Sequence, residues 1–212
     1  MENLKSHAIV KTHELALKGK NRPWFMRKLV DNLRTATKGS GVERVWQGQL
    51  MVGLTLSDEE CWPEVKSRLK EVFGVAKFYK AYELPQDLDG LKARIPEFLE
   101  GRTFSSFRIT PNRADKRFPM NSEEVNRDLG AFVKDLTGAQ VNLKYPELSI
   151  YVDIQTSGFL VYFDEVKAHG GLPVGVSGKV AVMLSGGIDS PVAAWQMMKR
   201  GCQVMFVHFH SY

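Results

Sequence analysis

The stretch from Val180 to Phe209 constrains the fold more than any other. "VAVML" is a short apolar run rich in β-branched residues, and "QVMFVHF" is a second one. Between them lie the turn "SGGIDS" and an apolar-periodic segment that ends at Gly201. Two strands of buried character joined through a helix are parallel, because an antiparallel pair needs only a hairpin. The pattern predicts a helix over 190–200, with Gly201 as its stop. One βαβ unit of a doubly wound α/β sheet follows.

A turn from a parallel strand into a helix brings backbone N–H groups to the positive end of the helix dipole. That is an anion site, and phosphate is its usual occupant. Gly186 and Gly187 let backbone approach phosphate oxygens closely, and Ser185 and Ser190 add hydroxyl donors. Asp189 repels phosphate unless a cation intervenes, so its presence points to Mg²⁺. The lysine of a Walker P-loop is missing. His208 and Phe209 end the second strand, the edge where open α/β sheets bind ligands.

Upstream, the periodicity changes character. "HAIVKT" reads as a strand, and Asn21 with Pro23 signals a helix carrying Phe25, Met26, Leu29, Val30 and Leu33 at helical spacing. "VERVWQ" and "LMVGLTL" read as strands around Gly48. Trp62, Val65, Leu69, Val72 and Phe73 mark a second helix, and "VAKFYKAYEL" a closing strand. The order βαββαβ is the ferredoxin-like plan. A second unit opens near Pro85 with the helix "LDGLKARIPEFLE", weakened by Pro96, and the strand "SFRIT". Asn121 or Ser122 caps a helix whose stripe is Val125, Leu129, Phe132, Val133 and Leu136. "LSIYVDIQ" alternates as a half-buried strand, and "FLVYFDEV" pairs with it across Ser157–Gly158. The glycine-rich "AHGGLPVGVSGK" fits either a linker or a close-packed crossing loop.

Charge is uneven. The net charge is +5, yet residues 1–44 hold ten Lys/Arg against four Asp/Glu, and residues 102–117 hold five against one. Clustered cations of this kind suit a polyanion such as RNA. In the first cluster Lys11, Lys18, Lys20 and Arg22 lie near a strand end and a loop. In the second, Arg108, Arg113, Lys116 and Arg117 flank a strand end, and Phe118 offers either a stacking surface for a base or a core anchor. No apolar run reaches the roughly 20 residues of a membrane span, and no signal peptide opens the chain. A cytoplasmic protein is the expectation. Cys61 and Cys202 are too far apart in sequence for a CxxC pair.

Three stretches together carry a family resemblance. Ser185 to Ser190 resembles the SGGxDS signature of the PP-loop ATP pyrophosphatases. "HELALKGKNRPWF" (His13–Phe25) resembles the N-terminal signature of the tRNA 4-thiouridine synthetases, the ThiI family. "RADKRFPMNSEEVNRDLGAFV" (Arg113–Val133) is similar to the core of a THUMP RNA-binding domain. The stretch from Gly170 to Gly201 resembles that family's entry into its PP-loop domain.

The resemblance implies an α+β N-terminal half. A ferredoxin-like domain covers 1–83, a THUMP domain 84–167 and a linker 168–178. The first βαβ of a doubly wound PP-loop domain, truncated, covers 179–212. It implies an ATP-dependent tRNA sulfurtransferase that makes 4-thiouridine at position 8 of tRNA. A cysteine desulfurase would donate the persulfide, some family members also supply sulfur for the thiamine thiazole, and a homodimer stays open. Met183, Leu184, Ser185, Gly186, Gly187, Asp189 and Ser190 would hold ATP with its Mg²⁺, and His208 and Phe209 the adenosine. Asp189 would handle Mg²⁺ and pyrophosphate. The family continues beyond Tyr212 and carries its sulfur on a cysteine that neither Cys61 nor Cys202 matches. The chain alone is therefore expected to bind tRNA without thiolating it. A stand-alone tRNA-binding module is the alternative.

Overall fold

The computed structural model describes residues 4–17, 19–48 and 51–209. Along the chain, β1 (Ser6–Lys11) leads through two short 3₁₀ turns into α1 (Arg22–Ala36). Then come β2 (Val42–Gln47), β3 (Met51–Leu56), α2 (Trp62–Lys70) and β4 (Lys77–Leu84). Next are α3 (Leu88–Leu99), β5 (Ser106–Arg113), α4 (Ser122–Thr137), β6 (Gln140–Val141), β7 (Leu148–Gln155), β8 (Gly158–Tyr162) and β9 (Val166–Lys167). The last are β10 (Lys179–Met183), α5 (Asp189–Lys199) and β11 (Gln203–Val207). The chain divides into two units, residues 1–7 with 80–164, and residues 8–79 with 165–212.

In the second of these units the strands run β2-β3-β1-β4, the ferredoxin-like order, with β9 against the start of β4. Met26, Leu29, Val30 and Leu33 from α1 and Val65 and Leu69 from α2 close over Ala8, Val10, Val52, Leu54 and Phe78. Val72 and Phe73 lie past the end of α2 and are still buried. The chain can stop being helical at Lys70 and keep burying those side chains from the following turn.

The glycine-rich stretch is a packed crossing. The Gly74 N–H donates to the Gly170 carbonyl at 2.8 Å, and the Gly170 N–H to the Val75 carbonyl at 2.7 Å. Asn32 Nδ2 donates to the Val174 carbonyl at 3.1 Å, and the Leu172 N–H to the Lys199 carbonyl at 2.9 Å. Gly171 has φ +76°, and a Cβ there would lie 2.3 Å from the Lys199 carbonyl oxygen, so only glycine fits. Phe73, His169 and Trp195 pack ring against ring at centroid distances of 5.3 to 5.7 Å.

Beyond that crossing β10 and β11 pair in parallel from Lys179↔Gln203 to Met183↔Val207, with α5 between them in sequence. The expectation of two buried strands is corrected here. Val180 and Val182 are half-buried, but Met183, Met205 and Phe206 are 64, 61 and 52% exposed. The physical reason is local. The helix contributes one buried residue, Ala194, and among the described residues no third strand joins this pair.

The other unit is ordered β4-β8-β7-β5-β6. β8 is antiparallel to β4 and β7, whereas β5 is parallel to β7 and β6. Leu91, Ile95 and Phe98 from α3 and Val125, Leu129 and Val133 from α4 cover Phe107, Ile109, Ile150, Val152 and Ile154. β7 is more enclosed than its alternation suggests. Asp153 on the opposite face is also buried and accepts from Asn112 Nδ2 at 3.3 Å. Leu136, expected in the α4 stripe, is instead 44% exposed near the helix end. Pro96 stays inside α3.

Candidate functional site

The 185–190 turn is built from its own side chains. The Ser185 N–H donates to Ser190 Oγ at 3.2 Å, and the two hydroxyls lie 3.3 Å apart. The Gly187 N–H leans on Ser185 Oγ at 3.4 Å. These bonds curl the backbone around a space in front of α5. Ile188 precedes the helix in right-handed conformation, and no side chain caps the helix start. Gly186 and Gly187 have ordinary negative-φ or extended backbone, because neither is among the positive-φ glycines. A Cβ at Gly186 would meet nothing within 4 Å, and at Gly187 only Ser185 Oγ at 3.7 Å. Neither backbone strain nor packing therefore requires these glycines. What they leave is open space that a side chain would fill, which is what a phosphate cradle needs. The residues present thus fit a phosphate group.

The mouth of the turn is held from the neighbouring strand. The Leu184 N–H donates to the Val207 carbonyl at 2.8 Å, extending the β10–β11 ladder by one bond. His208 Nδ1 donates to the Leu184 carbonyl at 2.9 Å. That bond puts the ring proton on Nδ1 and leaves Nε2 an acceptor in the neutral ring. Met183, Asp189, His208 and Phe209 are all exposed, and the Asp189 carboxylate has no partner among the described residues. Of the two cysteines, Cys202 is buried, its thiol 3.5 Å from the Ser177 carbonyl. Cys61 precedes α2, its thiol 3.1 Å from the Asp58 carbonyl.

The cations foreseen for RNA are less free than their sequence suggests. Arg108 lies on β5 with Nη1 donating to the Leu143 carbonyl at 3.3 Å and Nε buried without a partner. Arg113 is the last residue of β5 rather than a loop residue, and its Nη1 donates to the Met120 carbonyl at 3.3 Å. Arg117 grips Asp115 through Nε and Nη2 at 3.0 and 3.2 Å. Those hydrogen bonds hold the Asp115 carboxyl down at about 2 and raise the Arg117 guanidinium. The Arg117 side chain is still 78% exposed, and Lys116 is exposed and has no side-chain partner among the described residues.

Phe118 requires a correction. It is 8% exposed, and its ring meets Phe159 edge-on at 5.5 Å. Burying it in the core contributes roughly 1.5–3 kcal/mol, and no face is left for a base. In the other unit Lys11 ends β1 with Nζ 5.1 Å from the Tyr79 ring centre. Lys20 is exposed in a 3₁₀ turn, and Arg22 begins α1. Lys18 lies outside the described residues.

Three family profiles match consecutive parts of this chain. The ThiI ferredoxin-like domain matches residues 7–79, the THUMP domain 85–164, and the thiamine biosynthesis protein (ThiI) 175–212. The chain belongs to the ThiI family. A probable tRNA sulfurtransferase of Thermus thermophilus is 49% identical over 202 residues, covering 94% of this chain and 49% of the relative. One from Brevibacillus brevis is 39% identical over 210 residues, covering 96% and 52%. The chain spans about half the length of the curated relatives it matches. The crystal structure of a 4-thiouridine synthetase–RNA complex with bound ATP superposes with TM-score 0.85 at 32% identity, over 99% of this chain and 53% of that one. A Pyrococcus horikoshii Ot3 protein superposes at 0.86 and 25%, over 97% and 69%.

For a ThiI chain, the features that sequence reading missed are tertiary. No local signal says that Arg117 meets Asp115 bidentately or that Arg113 reaches the Met120 carbonyl. Asp115 two residues before Arg117 was the one available hint. The His208–Leu184 bond joins residues 24 apart and follows only once the two strands are known to be in register.

Among the described residues, no helix is long and apolar enough to cross a membrane.

Proposed function

We propose that this chain is the RNA-binding part and the ATP-site opening of a tRNA sulfurtransferase that makes 4-thiouridine at position 8 of tRNA. The observation that carries the reading is the 185–190 turn. It holds two glycines that neither strain nor packing requires, two hydroxyls and a carboxylate without a partner among the described residues, all at an uncapped helix start. A relative's complex with RNA and ATP supports it.

ATP supplies activation of the uridine carbonyl oxygen, turning it into a leaving group that persulfide sulfur can displace. The residues of this chain bind and orient it. Ser185, Gly186, Gly187 and Ser190 would receive phosphate oxygens, and Asp189 would hold Mg²⁺ against them. Met183, Leu184, His208 and Phe209 would flank the adenosine. A cysteine desulfurase would supply the sulfur, and the same sulfur chemistry would serve thiazole formation for thiamine. Labour would divide as a ferredoxin-like domain over 1–83, a THUMP domain over 84–167, a connection over 168–178 and the start of the adenylating domain from 179. Lys11, Lys20, Arg22, Lys116 and Arg117 would meet phosphates at the edges of the RNA site.

The test is nucleoside mass spectrometry of unmodified tRNA incubated with the full-length protein, ATP, Mg²⁺, cysteine and a desulfurase. 4-Thiouridine confined to position 8 and dependent on ATP is the expected result. RNA binding with no thiolation under any of these conditions overturns the enzyme reading in favour of a tRNA-binding module.

A further inference from the structure

We propose that Phe73, His169 and Trp195 form a latch that positions α5, and with it the 185–190 turn, for the thiolation chemistry. The three are positioning residues, and their role rests on the sulfurtransferase reading above.

Three observations carry it. The first is how little else holds the helix. α5 buries one side chain, Ala194, and Val192 and Met197 are 51 and 37% exposed. The side-chain grip lies instead towards the end far from the turn. Trp195 meets the Phe73 ring at 5.3 Å and the His169 ring at 5.4 Å, both edge-on, and Lys199 Nζ lies 5.1 Å from the Trp195 ring centre. His169 Nε2 donates to the Glu71 carboxylate at 3.3 Å, which orients its ring. All three rings lie outside the apolar core beneath α1 and α2, and Trp195 keeps 37% of its surface exposed. They clamp a surface helix and do not fill the core.

The second observation is a backbone grip at the same end. The crossing takes the carbonyls that a helix C-terminus leaves without partners. Leu172 N–H donates to Lys199, Ser177 Oγ to Arg200 at 2.7 Å, and the Gly175 and Ser177 N–H groups to Gly201 at 2.8 and 3.0 Å. The third is what the crossing is tied to. It is bonded to α1 through Asn32 and to the approach to β4 through Gly74 and Val75. The segment with Lys11, Lys20 and Arg22 belongs to this same compact unit. The far end of the ATP helix is thus fixed to the part that would hold RNA phosphates. α5 has 11 residues and is about 16 Å long, so a tilt of about 5° at its anchored end moves the turn by roughly 1.4 Å. A misplacement of about 1 Å can cost on the order of 100-fold in rate.

The experiment measures thiolation kcat, the Kd values for ATP and tRNA, and Tm on the full-length protein, with kcat read well below every Tm. Trp195→Ala should lower kcat about tenfold and leave both Kd values within about twofold, because the groups that touch ATP and RNA remain. Trp195→Phe should restore kcat to within about threefold of wild type, since an aromatic ring again meets Phe73. Gly171→Ala pushes on the Lys199 carbonyl from the crossing and should also cost about tenfold in kcat. His169→Ala added to Trp195→Ala should cost less than about twofold more, because both act through one latch. Folded Trp195→Ala and Gly171→Ala variants with wild-type kcat overturn the latch. So does a loss that appears in ATP affinity instead of kcat, that Trp195→Phe does not rescue, or that multiplies in the double variant, each of which makes the rings ordinary packing. Wild-type protein that binds tRNA and ATP and never thiolates overturns the sulfurtransferase reading itself, and the latch with it.

Discussion

Two strand–loop–helix connections of this chain can be compared directly, β5 into α4 and β10 into α5. The first closes its helix start with its own side chains. Asn121 Oδ1 accepts from the Glu123 and Glu124 N–H groups at 2.9 and 3.0 Å, and the Glu124 carboxylate accepts from the Asn121 N–H at 2.7 Å. This capping box uses up the donors that an anion would need. The second connection starts its helix after Ile188, with no side-chain cap and with open space at Gly186. Both helices carry the same dipole. The difference teaches that an anion site is made by withholding the cap as much as by supplying the helix.

The largest effect that could break this comparison is at Asp189. Asp189→Ala in the full-length enzyme should lower ATP-dependent thiolation on the order of 100-fold, equivalent to about 2.7 kcal/mol. Its tRNA affinity should stay within about twofold, because the cations proposed for RNA are in other segments. Steady-state thiolation and filter binding on one preparation decide it. Near-normal activity would mean that the open helix start is not the ATP site.

A smaller effect tests the closed start. Asn121→Ala deletes both accepted bonds and should destabilise the fold by about 1 kcal/mol, seen as a lower denaturation midpoint at unchanged m-value. No change would show that the box is idle and that the contrast between the two helices is one of appearance.

Smaller still is the response to salt in the loop before α4. Because Arg113 and Arg117 already have protein partners, replacing both by alanine should flatten the tRNA salt slope by at most about one. Titrations at three or more salt concentrations read this. A change of two or more would restore the loop as the main RNA contact.

The smallest effect concerns acid. Asp115 titrates at about 2 in the folded protein, below its ordinary 3.8, because Arg117 hydrogen-bonds the charged form. Its stabilising contribution is complete above about pH 4 and is lost as pH falls towards 2. Asp115→Asn should therefore show a shallower loss of stability between pH 4 and 2 in urea titrations. Equal slopes in mutant and wild type would mean that the Asp115–Arg117 pair does not persist in solution.

The features settled by sequence alone are those whose chemistry is local. A cap at the start of α4 was legible as Asn121 or Ser122, and the structure chose Asn121 with Glu124 three residues on. The stop after α5 needs only Gly201, observed with φ +88°. The ferredoxin-like order and the strand–turn–helix at 183–200 follow from periods of two and 3.6 and from turn residues. These depend on neighbours within a few positions, so the string of residues contains them. Partners and burial depend on residues brought together by folding, and there the tertiary structure decided. Phe118 and the exposed Tyr145 are both aromatics in polar surroundings in the sequence, yet one is 8% and the other 84% exposed. Whether a basic segment meets RNA or its own chain turned on Asp115, Met120, Leu143 and Asp164 being within reach of its arginines. Whether residues 168–178 form a free linker or a packed crossing turned on the carbonyls of Lys199 and Gly201 standing opposite Leu172 and Gly175. No local rule carries that information, because hydrogen bonds and burial are settled by distance in space and not by distance along the chain.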